Sequence, residues 1–222
     1  MSDINQRNTD KICKQDTDKV LLVEGDNDCH VVLALCKAHN VPETFGIYQC
    51  GGSDKVKLLK RLNALIVRPE PPRVIGVMID ADESLEGRWQ SITTKLRNHP
   101  EYLLSKTPDK DGTIVESVED KPKLGFWLMP NNQDSGMLED FCAELAEPAS
   151  LNFARECVEQ ASRNYPTTFK AVHHSKAVIH TYLAWQDEPG YPLGKSITSQ
   201  ALRPHTEIAV KFTDWLTRLF GE

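Results

Sequence analysis

The chain has 222 residues, 40% hydrophobic and 26% charged, with a formal net charge of −6, which leaves room for one domain with an appendage and a substantial core. The acidic balance argues against avid, nonspecific nucleic-acid binding by the whole surface, and leaves room for a local phosphate site. No apolar run reaches transmembrane length, and Met1-Ser2-Asp3-Ile4-Asn5-Gln6-Arg7 lacks the apolar stretch of a signal peptide, so the cytoplasm is the expected compartment and no membrane partner is expected.

In chain order, residues 1–18 read as a polar arm. The first strand, Lys19-Val20-Leu21-Leu22-Val23, runs into Glu24-Gly25-Asp26-Asn27-Asp28. A helix then follows to about His39, with Val31, Val32, Leu35 and Cys36 on its inner face and Asp26 or Asn27 as its cap. A second strand, Phe45 to Cys50, ends in Gly51-Gly52. Ser53 or Asp54 can cap the next helix, which carries Leu58, Leu59, Leu62, Leu65 and Ile66 as its apolar stripe and Lys55, Lys57, Lys60 and Arg61 outside. Pro69-Glu70-Pro71-Pro72 breaks that helix before the run Val74-Ile75-Gly76-Val77-Met78-Ile79, which ends in Asp80-Ala81-Asp82. A helix with Trp89, Ile92 and Leu96 comes next, then a polar insertion near 100–123 with a short strand at Thr113-Ile114-Val115.

Leu124-Gly125-Phe126-Trp127-Leu128-Met129 is the last strand and stops at Pro130. Gly136-Met137-Leu138-Glu139-Asp140-Phe141 opens a further helix, and residues 148–222 read as helices packed on the core at about 151–164, 175–185 and 206–220. The β-α-β-α alternation predicts an α/β fold. Its sheet is mostly parallel and flanked by helices, with a core over 19–147 and a helical C-terminal extension.

Two strand ends deliver acids to one rim, Glu24 with Asp28 and Asp80 with Asp82. Open α/β sheets bind ligands outside the carboxyl ends of their strands. Side chains alternate along an extended segment, so Asp80 and Asp82 can face the same way and share one cation. Clustered carboxylates repel one another unless a cation neutralises them, which points to a hard metal, Mg²⁺ before others and Mn²⁺ as its substitute. A structural reading stands beside this one, because Asp is also a favoured cap and turn residue.

The other motifs carry less. Cys13, Cys29, Cys36, Cys50, Cys142 and Cys157 show no Cys-x-x-Cys spacing and read as core or incidental thiols, Cys29 and Cys36 as neighbours on a buried helix face. His173, His174 and His180 lack a partner cluster with metal spacing and receive no role. Trp89, Trp127 and Trp185 read as core residues.

The ordered set Leu22-Val23-Glu24-Gly25-Asp26-Asn27-Asp28, Gly51-Gly52, Ile79-Asp80-Ala81-Asp82 and Gly136-Met137-Leu138-Glu139 resembles the TOPRIM domain over about residues 18–145. That fold is shared by primases, topoisomerases, a recombination-repair protein and the overcoming-lysogenization-defect nucleases. The resemblance implies that Glu24, Asp80 and Asp82 hold Mg²⁺, with Asp28 and Glu139 completing a two-metal site; beside them, Asp140 is placed to orient a ligand from behind. Lys176 would hold the phosphate. It also implies cleavage of DNA or RNA phosphodiesters and an ATPase partner; the chain has no Gly-x-x-x-x-Gly-Lys-Ser/Thr loop of its own. A homo-oligomer is left open. The alternative functions are a TOPRIM module that binds metal, nucleic acid or a partner without chemistry, and, further off, a phosphatase or a phosphoacceptor. Haloacid-dehalogenase phosphatases place their Asp-x-Asp after the first strand, whereas here it follows the third.

Overall fold

The computed structural model describes residues 11–16, 18–42, 44–51, 55–116 and 121–221. Its strands are β1 (Lys11–Lys14), β2 (Lys19–Val23), β3 (Gly46–Gln49), β4 (Val74–Asp80), β5 (Thr113–Val115) and β6 (Lys123–Met129). Its helices are α1 (Asp26–His39), α2 (Lys55–Val67), α3 (Leu85–Leu96), α4 (Leu138–Glu144), α5 (Pro148–Asn164), α6 (His174–Leu183), α7 (Leu193–Thr198) and α8 (Glu207–Phe220).

The strands form one sheet in the order β1-β3-β2-β4-β6-β5. The inner four, β3, β2, β4 and β6, are parallel, and β1 and β5 close the two edges antiparallel. Parallel strands covered on both faces are buried along their whole length, which is why β2 and β4 read as continuous apolar runs. From β2 the chain steps outward to β3, then crosses back past β2 to β4 and onward to β6. Right-handed crossovers in opposite directions put helices on opposite faces. Accordingly, α1 packs on one face with α4 to α8, against Leu21, Val23, Met78, Trp127 and Met129. On the other face α2 and α3 cover Val20, Leu22, Ile75, Val77, Ile79, Phe126 and Leu128.

Two glycines in the sheet have a packing role. Gly76 and Gly125 are register partners across β4 and β6. A Cβ on Gly125 would stand 2.4 Å from Leu219 Cδ2, and one on Gly76 would stand 3.0 Å from the same atom. The missing side chains form the seat for α8, whose Phe212 and Trp215 complete an aromatic cluster with Trp127 and Phe141.

Three readings of the sequence change. Within the segment read as a polar arm, residues 11–14 form an edge strand paired with β3; residues 1–10 lie outside the described part. That edge strand also corrects the reading of the cysteines: Cys13 and Cys29 form a disulfide, their Cα atoms 6.2 Å apart, while Cys36, Cys50 and Cys142 are buried free thiols and Cys157 is half-buried. A pairing across 16 positions is invisible to a search for local spacing. Trp185, read as core, is half-exposed and lies 5.5 Å from the Phe153 ring, whereas Trp89 and Trp127 are buried. The short helix α7 was not expected, and β5 pairs with β6 where a short strand was.

Candidate functional site

The direction of strand connection reverses between β2 and β4, and in open α/β sheets the crevice beyond such a point is where ligands bind. Glu24 is the first residue past β2 and Asp80 the last of β4. They touch through the backbone: the Asp80 N–H donates to Glu24 Oε1 at 3.0 Å. After β6 the chain turns through a cis Met129–Pro130 bond and enters α4, whose second residue is Glu139.

Two helices open on this rim in the same way. In α1, Asp28 folds back so that its Oδ2 accepts the Gly25 N–H at 2.9 Å; Gly25, not Asp26 or Asn27, is the cap residue. In α4, Asp140 Oδ2 accepts the Met137 N–H at 2.8 Å. An acid in the third position of a helix completes an orphan backbone donor and complements the positive end of the helix dipole. Each turn thus has a local reason to carry an acid, and the two turns bring Asp28 and Glu139 to the rim where Asp80 lies.

Burial sharpens the consequence. Glu24, Asp28 and Glu139 are only 8%, 8% and 4% exposed. Burial, followed by the charges of Glu24, Asp28 and Glu139, pushes the Asp80 carboxyl up to about 9, against the pull of the Leu138 N–H, which donates to Asp80 Oδ1 at 2.9 Å. Burial and Glu24 push Asp28 up to about 7, with a smaller contribution from Glu139. Carboxyls held this high retain protons that ordinary acids lose, because their neighbours' charges cannot be dispersed into water. The same surroundings raise the buried Cys142 thiol, through burial and then Glu139, Asp28 and Asp140.

The structure therefore brings Glu24, Asp28, Asp80 and Glu139 together. Lys176, at the start of α6, reaches them: its Nζ lies 3.3 Å from Glu139 Oε1, with the lysine side chain 48% exposed. The neighbouring Ser175 Oγ donates to Asp140 Oδ1 at 2.5 Å, which fixes α6 to α4.

Asp82 is placed differently. β4 ends at Asp80, and Asp82 takes a left-handed conformation at φ 57°, so the alternation of an extended strand no longer applies to it. Its N–H donates to the Gly136 carbonyl at 2.7 Å, and its carboxylate pairs with the Arg88 guanidinium. Arg88 Nε in turn donates to the Asp80 carbonyl at 2.8 Å. Arg88 escaped the sequence reading, and so did Ser175. A signal for Arg88 existed: it lies one turn past Ser84, the helix cap whose Oγ accepts the Gly87 N–H at 3.0 Å, on the helix that directly follows Asp-x-Asp. Beside the pair is a cleft of about 410 Å³ lined by Asp82, Ser84, Gly87, Arg88, Ser91 and Val172.

Gly51 is left-handed at φ 92°, with the Lys57 chain passing over it; Gly52, Ser53 and Asp54 lie outside the described residues. His173 ends a 3-10 turn over Ala171–His173, His174 opens α6, and His180 is exposed.

The donor set suits a hard divalent cation in kind, being carboxylate oxygens at a buried rim. In this side-chain arrangement, among the described residues, no three His, Cys, Asp or Glu side chains close on a single ion. Backbone N–H groups, Lys176 and Arg88 hold several of the oxygens instead.

A family described as "Protein of unknown function (DUF3226)" matches residues 18–221. No curated protein and no solved structure matches the chain.

Proposed function

The chain belongs to the DUF3226 family, whose description names no chemistry, and from the acidic rim itself we propose a Mg²⁺-dependent nuclease of TOPRIM type that cleaves nucleic-acid phosphodiesters. The observation that carries the reading is the juxtaposition of Glu24, Asp28, Asp80 and Glu139 at the switch point of the sheet, with Asp80 pushed up to about 9 by burial and those three charges. A buried set of like charges is unfavourable to the fold and is retained where it binds something of opposite sign.

Glu24 and Asp80 would hold the cation, with Asp82, Asp28 and Glu139 as further oxygen donors, and Mn²⁺ would substitute for Mg²⁺. When bound, such a cation polarises a phosphoryl oxygen and lowers the pKa of an attacking water. Lys176, exposed at its outer side and paired with Glu139, can turn its ammonium to a phosphate once the carboxylate charge is neutralised elsewhere. Asp140, held by Ser175 and Met137 N–H, keeps the α4 turn and hence Glu139 in place. The net charge of −6 disfavours unaided capture of a polyanion, so the proposal includes a partner, an ATPase by resemblance, in the cytoplasm; purification of the chain from its native cells without one counts against that part.

One observation favours a second reading. The carboxylates are engaged by backbone N–H groups, Arg88 and Lys176, as in a module that binds a partner or nucleic acid without cutting. The deciding experiment offers supercoiled plasmid, single-stranded DNA and RNA to the wild type, Glu24→Ala and Asp80→Ala, with Mg²⁺, Mn²⁺ or chelator. Metal-dependent cleavage lost in both variants supports the nuclease; cation binding without cleavage supports the binding module.

A further inference from the structure

Arg88 is held at two points. Its Nε donates to the Asp80 carbonyl, and its outer nitrogen grips the Asp82 carboxylate, the two side chains being 13% and 21% exposed. We propose that Arg88 is a built-in counter-ion, which neutralises Asp82 in the cation-free protein and yields it when a divalent cation binds. The inference rests on the cation reading above and specifies how that site is regulated.

Asp82 is pinned by its N–H to the Gly136 carbonyl two residues past Asp80, so the exchange as proposed is a turn of its side chain from Arg88 toward the rim. Arginine suits the task better than lysine: a planar fork keeps one nitrogen on the Asp80 carbonyl while another exchanges its partner. The released end has room, because the cleft of about 410 Å³ lies against it. Shielding from water makes the pair stronger than one on the surface, so the ion pair and the cation compete for the same carboxylate. Lys176, 48% exposed on Glu139, presents a weaker obstacle of the same kind.

The test is calorimetric titration of Mn²⁺ into the wild type, Arg88→Gln, Asp82→Asn and the double variant. Glutamine keeps an amide donor for the Asp80 carbonyl but cannot hold an ion pair. Arg88→Gln is expected to bind Mn²⁺ about tenfold tighter than the wild type, with the gain cancelled in the Asp82→Asn background, since coupled neighbours show non-additive effects of this size. Arg88→Lys, which keeps the charge but cannot span the Asp80 carbonyl and the Asp82 carboxylate at once, is expected to tighten binding in the same direction but by less, so a folding defect of the glutamine variant does not decide the matter. Unchanged or weaker binding in both Arg88 variants overturns the proposal. So does a gain that survives in the Asp82→Asn background, which is plain relief of repulsion. If the wild type binds no Mn²⁺ at all, the cation reading fails and takes this inference with it.

Discussion

A carboxyl with a pKa pushed up to about 9 beside three other acids must keep a proton in the folded protein that it releases when unfolded, which destabilises the fold above the ordinary carboxylate range. Asp80→Asn removes that titration while preserving the acceptor for the Leu138 N–H. It is expected to raise the melting temperature of the cation-free protein at pH 8 by a few degrees, on the order of 1 kcal/mol, while abolishing the proposed metal-dependent cleavage; a drop in melting temperature refutes the crowding argument. The pH dependence follows from the same groups. Asp28 and Asp80 have folded-state values of about 7 and about 9, above the ordinary 3.8. Between the unfolded and folded values the native state binds more protons, so stability falls as pH rises from about 4 to about 9. Melts in chelator at pH 5, 7 and 9 should show that decline, with Mg²⁺ restoring more at pH 9 than at pH 5. A flat profile sinks the assignment.

At the scale of elements, the site depends on the turn that leads from β6 into α4. Gly136 has φ 145°, and a Cβ there would stand 2.7 Å from Asp140 Oδ2. Gly136→Ala combines backbone strain with displacement of the carboxylate that closes the first turn of α4, a loss of about 1–3 kcal/mol in urea unfolding, and it should weaken cation binding by shifting Glu139. Gly190 also has positive φ but open space around it, so Gly190→Ala should lose stability alone. The Cys13–Cys29 bridge ties the edge strand β1 to α1 over a separation of 16. Cys13→Ser should destabilise by about 3 kcal/mol on the loop-closure estimate, read from the urea midpoint of wild type and variant without reductant. Acids in the first turns of α1 and α4 were legible in the sequence; that Asp28 and Asp140 fold back on the N–H groups of Gly25 and Met137 was not.

The C-terminal helices share one apolar core with the sheet and α1, and α8 lies on the seat made by Gly76 and Gly125. Trp215→Ala, in the middle of the aromatic cluster, should cost about 3–5 kcal/mol, and tryptophan fluorescence and far-ultraviolet dichroism should unfold together; separate transitions would mean that α8 is not part of the cooperative unit. No helix among the described residues is long and apolar enough to cross a membrane. What the sequence determined by itself was local: apolar runs of strand length, acids at their carboxyl ends, helical stripes after each, and from their alternation an α/β sheet flanked by helices. Those follow from side-chain periodicity and the chemistry of caps, which act over a few residues. Tertiary structure alone decided which acids meet, that Asp82 leaves the strand and pairs with Arg88, that Lys176 reaches Glu139 from α6, and that Cys13 finds Cys29. Such pairings depend on where loops and crossovers bring distant segments, and no local pattern carries that information.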